Sequence, residues 1–283
     1  MPSARLKRLF VLPHFAFLGL VLVHSLWRSA TTGLAPVWLG PLLVAGGFFA
    51  FMGWVMATGA ARTSRHLPGL LSTGAAGLAL ALAGAGLGSA PAGLPVAYAT
   101  AGFASLLLYV FWYSRLDRRP SEALRPGAEL PEFVIEDERG EPLSSLALRG
   151  QPVVWLFFRG NWCPLCMAQI RELAERYKAL EARGAQVALV SPQSHEHTRA
   201  LARRFEVPFR FLVDRGGRAA RELGILHEGG VPAGMPGYGV DTILPTAIVT
   251  DAEGRILFVD QTDNYRVRPE PDTFLAVLDA AGL

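Results

Sequence analysis

A four-helix membrane-spanning bundle followed by an α/β domain is the architecture this 283-residue sequence predicts, and three observations predict it. Charged residues make up only 18% of the chain, where about 25% is usual for a soluble domain, and 51% is hydrophobic. All 24 acidic residues lie from Asp117 onward, and only seven of the 27 basic ones (Arg5, Lys7, Arg8, Arg28, Arg62, Arg65 and Arg115) precede it. The net charge of +3 is therefore +7 before Asp117 and −4 from there on. Beyond residue 131, long apolar runs give way to short alternating strand and helix signals. The apolar content excludes a disordered chain, and the small net charge argues against a nucleic-acid partner. Two cysteines exclude a disulfide-rich scaffold.

Four apolar runs, residues 9–27, 35–58, 68–87 and 94–113, contain no acidic or basic side chain. Each approaches the length that crosses a bilayer core of about 30 Å. A charge at mid-bilayer costs about 3 kcal/mol, so four uncharged runs in succession read as spans in a lipid bilayer rather than buried soluble helices. A basic start precedes the first run, as in a signal peptide. That run is longer than such a segment and three more follow, so it reads as a retained helix.

Arg5, Lys7 and Arg8, then Arg62 and Arg65, then Arg115, Arg118, Arg119 and Arg125 fall on one side of the spans, and Arg28 alone on the other. The excess places both termini, and the α/β domain, on the cytoplasmic face of a cell membrane. Gly84 and Gly88 stand at GxxxG spacing, a pattern for close helix packing within the bundle or between protomers. His14 and His24 point about 80° apart around the first helix and about 15 Å apart along it. They read as neutral histidines near each interface or hydrogen-bonded between helices, with haem ligation or a proton relay as the rival. No cysteine occurs in any run, which excludes a cysteine relay across the membrane.

The chain thus divides into a membrane domain (1–116), a polar linker (117–131) with Pro120, Pro126 and Pro131, and an α/β domain (132–283). Strands are expected at 132–136, 153–158, 186–190, 209–213, 247–250 and 255–260. The 153–158 run is continuously apolar, as in a central strand, and Asp251–Gly254 joins the last two as a hairpin. Helices are expected at 164–182, 196–205, 217–223 and 271–281. Met167, Ile170, Leu173, Ala174, Tyr177 and Leu180 recur at three- and four-residue steps, and Ser194 is a cap for the second.

Both cysteines lie in Trp162-Cys163-Pro164-Leu165-Cys166, directly after the central strand and opening a helix. Two thiols at this spacing close a short disulfide loop with little rearrangement. The helix N-terminus favours negative charge, which points to Cys163 as a solvent-facing thiol of lowered pKa. Cys166, one turn in, is then the buried thiol that resolves a mixed disulfide. Pro164 fits the first helical position, and Arg159 adds positive potential. A zinc site lacks a second cysteine pair, and no metal is expected. His195-Glu196-His197 reads as a solvated helix start, with metal binding as the rival. The Gly- and Pro-rich insert 227–239 reads as a surface loop or an active-site border. Asp263, Asn264, Tyr265 and Arg266 read as substrate contacts or as the approach to the last helix.

Residues 127–283 resemble the thioredoxin-like redoxins, in particular the alkyl hydroperoxide reductase/thiol-specific antioxidant (peroxiredoxin-like) family. The resemblance is carried by residues 157–166 (FFRGNWCPLC), 190–193 (VSPQ), 211–214 (FLVD) and 244–246 (LPT). It implies a thioredoxin-like fold, a redox-active Cys163–Cys166 disulfide with no further cofactor, and a cis-proline at Pro245. Trp162, Pro164, Leu244, Pro245 and Arg159 are then expected to form the substrate-docking surface. Typical peroxiredoxins carry Pro seven and Thr or Ser three residues before the reactive Cys. Here those positions hold Arg159 and Cys163, or Leu156 and Gly160, so dithiol–disulfide exchange is favoured. Phe157 stands where thioredoxins have a buried acid.

The expected activity is that of a membrane-anchored thiol–disulfide oxidoreductase acting on a protein or small-molecule disulfide, with an unassigned electron donor. One rival is a peroxiredoxin-like peroxidase acting on peroxide. The other is a transport or electron-transfer bundle regulated by its redoxin domain.

Overall fold

The computed structural model of the protein describes residues 2–33, 35–87 and 91–283. The chain before Leu9 and from Leu116 onward makes one compact unit, and Leu9–Arg115 makes the other.

The helical unit is built from α1 (Pro2–Thr32), α2 (Pro36–Thr58), α3 (Pro68–Gly86) and α4 (Gly93–Leu108). Pro36 and Pro68 begin their helices where a missing N–H leaves no bond unmade. Ala4–Thr31, Pro36–Thr58, Pro68–Gly86 and Gly93–Tyr113 are long and apolar enough to cross a membrane. The 19 residues of α3 rise about 28 Å, close to the bilayer core. Leu20, Val23, Trp54, Met56 and Leu82 are exposed, an outward apolar surface suited to lipid.

The two histidines join α1 to α4: His14 Nδ1 pairs with Ser105 Oγ at 2.5 Å, and His24 Nδ1 with the Tyr98 hydroxyl at 3.1 Å. His14 is stacked between Phe10 and Tyr109. Tyr109–Tyr113 continues α4 as a π-helical turn, whose Tyr109 carbonyl accepts from both the amide and the hydroxyl of Ser114. Gly84 packs against the start of α2, within the bundle. Gly88 lies outside the described residues.

The second unit has a seven-stranded mixed sheet in the order β2-β1-β5-β4-β3-β8-β9. Its strands are β1 (Val134–Glu136), β2 (Pro142–Ser144), β3 (Val153–Phe157), β4 (Gln186–Ser191), β5 (Arg210–Val213), β8 (Thr246–Thr250) and β9 (Ile256–Asp260). A separate two-stranded ribbon pairs β6 (Leu226–His227) with β7 (Thr242–Ile243). β3, β4 and β5 run parallel, and β8 returns antiparallel to β3.

All five β3 residues are buried. Alternation sends Val153, Trp155 and Phe157 into one cluster with Phe133, Val190 and Ile248, and Val154 and Leu156 to the other face. Each of these large side chains contributes about 2–3 kcal/mol by leaving water. Helices α5 (Pro164–Glu175), α6 (Tyr177–Glu181), α7 (His195–Phe205), α8 (Arg218–Glu222) and α9 (Pro271–Ala280) complete the domain.

The structure departs from the sequence reading in three places. The helix expected over 164–182 is two, because Arg176 turns to φ −102° and ψ 7° between α5 and α6. Strands β2, β6 and β7, three, two and two residues long, had no separate pattern to announce them. The segment expected as linker, 117–131, is fastened to the sheet. Asp263 Oδ1 accepts from the Leu116 and Arg118 amides, and Gln261 Oε1 accepts from the Ser121 amide. Leu124 and Leu130 enter the core.

Candidate active site

After β3 the chain runs through residues 158–162 to Cys163, which caps α5 with φ −92° and ψ 111°, and Pro164 takes the first helical position. The Cys163 carbonyl accepts from the Cys166 amide at 3.0 Å and from Met167 at 3.1 Å, so the two thiols stand one turn apart. Both are free. Cys163 is only 2% exposed and Cys166 0%, which corrects the expectation of a solvent-facing Cys163. The cause is the approach segment, which folds back before the helix. The Cys163 amide donates to the Gly160 carbonyl, and Gly160 adopts φ 140°, a conformation open to glycine. Trp162 then lies beneath the Arg159 guanidinium, 4.6 Å from its ring centre.

The charge distribution within the pair is also the reverse of the expected one. Cys163 donates a hydrogen bond to Cys166, and that bond, burial and the neighbouring negative charge push the Cys163 thiol well above its ordinary value. Burial pushes Cys166 up as well. It is outweighed by the bond from Cys163, the Arg268 guanidinium, and the Arg159 amide and guanidinium, which bring Cys166 down to about 5. Arg268 Nη2 stands 3.4 Å from Cys166 Sγ. The remaining nitrogens of Arg268 are anchored: Nη1 donates to Gln169 Oε1 at 3.0 Å and Nε to the Tyr265 carbonyl at 3.0 Å. A full buried charge in contact with the inner sulfur outweighs the helix end, whose partial charge is about half a unit.

Arg268 was missed by sequence reasoning. It sits two residues past the polar 263–266 segment that was singled out. The turn that delivers it is built by Asn264, whose side chain and carbonyl accept from the Arg266 and Val267 amides.

Residues 126–259 match the AhpC/TSA family. That match lies in the C-terminal part of the chain and covers a little under half of it. Chloroplastic peroxiredoxin Q of Sedum lineare is 31% identical over 99 residues, covering 35% of this chain and 53% of that protein. The thiol-disulfide oxidoreductase ResA of Bacillus cereus is 22% identical over 157 residues, covering 55% of this chain and 78% of that protein. The crystal structure of peroxidoxin BcpB from Mycobacterium tuberculosis aligns with TM-score 0.47 at 21% identity, over 56% of this chain and 97% of that one. The chain spans about half the length of the peroxiredoxin Q relatives it matches.

Within the redoxin domain, the other expected docking residues have mixed placements. Arg159 and Trp162 border the dithiol, with Arg159 also 5.5 Å from the Tyr265 ring. Leu244 is buried in the core, its amide bonded to the Ile225 carbonyl. Among the described residues no peptide bond is cis, so Leu244–Pro245 is trans, a correction to the cis expectation. The chain passes directly from β7 to β8 there, and the Pro245 carbonyl accepts from Arg118 Nη1 at 2.8 Å. That carbonyl is therefore already paired within the fold.

Ser194 caps α7 as expected, accepting from the His197 amide. His195 and His197 do not converge on one point: His195 faces Glu136 at 3.1 Å, and His197 stacks on Tyr238 at 4.6 Å. Gln193, from the second motif, accepts from the Asn161 amide at 2.9 Å and so braces the approach to Cys163.

His227 lies beside Gly230, where a Cβ would stand 2.5 Å from its ring. Burial, with Arg159 and Lys7 adding to it and Asp117 opposing, pushes its imidazole down to about 3. A neutral histidine that must charge in acid favours the fold above about pH 6.5, its unfolded value, and loses that contribution as pH falls toward 3. Replacing His227 with Phe is expected to flatten the acid limb of redoxin-domain stability by up to about 4 kcal/mol. Denaturant unfolding at pH 7 and pH 4 checks this, and an unchanged pH dependence would refute it.

Proposed function

We propose that the protein is a membrane-anchored thiol–disulfide oxidoreductase whose Cys163 meets a substrate disulfide and whose Cys166 closes the internal one. The observation that carries the reading is the free thiol pair at the start of α5, with Arg268 in contact with the inner sulfur. Cys163 is the outer sulfur, at the helix cap, so it forms the mixed disulfide. It attacks one substrate sulfur, its proton passes to Cys166 and then to the departing thiolate, and the substrate S–S bond breaks. Cys166, held as thiolate near neutral pH, then attacks the Cys163 sulfur and releases the second substrate thiol. The substrate disulfide gains two electrons and the dithiol loses them. Arg159 and Trp162 border the docking point. Four helices of sufficient length and apolarity support a bilayer anchor, and the basic flanks support a cytoplasmic redoxin domain.

A second reading has one observation in its favour, the 31% identity to a protein named peroxiredoxin Q. In that chemistry a thiolate attacks the peroxide O–O bond, forms a sulfenic acid and releases water or an alcohol. The other thiol then condenses with it and releases a second water.

The two separate by trapping. Cys166→Ser is expected to accumulate a mixed disulfide with a peptide disulfide, and Cys163→Ser to accumulate none. Peroxide consumption by the reduced full chain should remain at the level of the double serine variant. Rapid peroxide turnover with a trappable sulfenate would replace the first reading by the second.

A further inference from the structure

A dithiol buried to this degree requires a segment that moves before a substrate disulfide can reach it. The 227–241 insert, with Gly229, Gly230, Gly234, Gly237 and Gly239 and two prolines, is the segment tied to the approach to Cys163. Arg159 Nη2 donates to the Gly230 carbonyl at 2.6 Å. The Tyr238 hydroxyl donates to Asn161 Oδ1, and the Tyr238 ring stacks on His197 and meets Trp162 edge-on at 6.5 Å. Gly160, at φ 140°, is a pivot within the segment so held. Inside the insert itself, support is thin: the Val231 amide bonds to the Val240 carbonyl, the Gly230 amide to the His227 carbonyl, and the Gly229 amide to Asp241 Oδ1. A glycine-rich ribbon with few apolar anchors opens at a small fraction of the cost of unfolding the domain.

The same insert has a second set of ties, to the start of α1. Arg8 Nε donates to the Val231 carbonyl at 3.1 Å, and the Arg8 carbonyl accepts from the Ala233 amide at 2.9 Å. Lys7, its neighbour, pairs with Asp117 at 2.5 Å. These residues belong to the redoxin unit yet are the first turns of a helix that continues to Thr32. Arg8 and the spanning part of α1 are one continuous helix with Pro13 inside it, and a shift of its first turns along the axis by even one residue's rise, about 1.5 Å, takes both Arg8 bonds out of range together.

We propose that the insert is a latch: Arg8 at the start of the first membrane helix holds it closed over the approach to Cys163, and displacement of that helix opens the dithiol to substrate. This rests on the oxidoreductase reading for its purpose and on the two sets of ties for its mechanism. Releasing Arg8 frees Val231 and Ala233, which loosens Gly230 and Tyr238 from Arg159 and Asn161. Trp162 then swings about Gly160 and uncovers the sulfur.

Alkylation of Cys163 by iodoacetamide, in the reduced full chain in lipid nanodiscs and resolved by peptide mass spectrometry, reads the latch without requiring catalysis. Arg8→Gln, Tyr238→Phe and Ala233→Pro are each expected to speed alkylation by about five- to tenfold, the scale of one lost hydrogen bond at a charged or buried site. Ala233→Pro removes a donor and leaves every charge in place. The Arg8→Gln/Tyr238→Phe double variant should react faster than either single one, because both bonds hold the same closed state and their losses add in free energy until the element is fully open. Acceleration by Tyr238→Phe with none from Arg8→Gln or Ala233→Pro would overturn the tie to the helix. No acceleration from any of the three variants, or a double variant no faster than the quicker single one while alkylation stays well below the rate of the unfolded chain, would overturn the latch. A chain that alkylates as expected but traps no mixed disulfide keeps the latch and loses the oxidoreductase reading.

Discussion

Replacing Arg268 with glutamine is expected to raise the ionisation midpoint of the reduced dithiol from about 5 toward the ordinary thiol value of about 8.5. Thiolate absorbance in the ultraviolet follows this directly. The kinetic consequence has two opposing parts. On a complete return to about 8.5 the thiolate fraction at pH 6 falls about 300-fold, the upper bound because the Cys163 bond and Arg159 remain, while each remaining thiolate becomes about 30- to 50-fold more nucleophilic, because reactivity rises with basicity. Closure of the Cys163–Cys166 disulfide should thus be about tenfold slower than wild type at pH 6, equal near pH 7 and faster at pH 9. Release of the second thiol from an aromatic disulfide substrate reports that step. Arg268→Lys keeps the charge and should keep the midpoint low. If Arg268 only supports Gln169 and Tyr265, the variant's profile will drop uniformly with its inflection unmoved.

This inversion of the two thiols marks the boundary of what was legible in the sequence. The spacing of Cys163 and Cys166, and their place on a strand-to-helix turn, are local facts, and the fold reproduces them. Beside the bond from Cys163, the charge that lowers Cys166 comes from a residue 102 positions away in the chain. A reading limited to neighbours had only the helix end to weigh, and it favoured the outer thiol. The Pro245 carbonyl is likewise held by a distant partner, Arg118, 127 positions earlier.

The four long apolar helices were legible because length and absence of charge suffice to predict them. The residues 94–113 read as a span are matched by Gly93–Tyr113. The linker was misread because its polar composition conceals bonds made by Asp263 and Gln261, which composition cannot register. Tyr238 was invisible in the same way, being joined to Asn161 across 77 positions.

Gly77→Ala is expected to destabilise the helical unit by about 2–3 kcal/mol, although alanine favours a helix over glycine by about 1 kcal/mol. A Cβ at Gly77 would stand 2.6 Å from the Gly40 carbonyl oxygen and 2.8 Å from Val44 Cγ2. A Cβ at Gly40 would in turn stand 2.6 Å from the Gly77 carbonyl oxygen, so α2 and α3 approach backbone to backbone at this level. Backbone atoms cannot rotate aside as a side chain can, so the helices must separate and forfeit dispersion contacts along their length. In lipid that loss is not offset by a hydrophobic term, because the tails are as apolar as the side chains. Gly53 provides the contrast: it lies inside α2, and a Cβ there meets no described atom within 4 Å. Gly53→Ala should be neutral or stabilise by up to about 1 kcal/mol. Unfolding in mixed micelles titrated with a denaturing detergent measures both. Equal effects at the two positions would mean that the glycines serve composition alone and that α2 and α3 are not in close backbone contact.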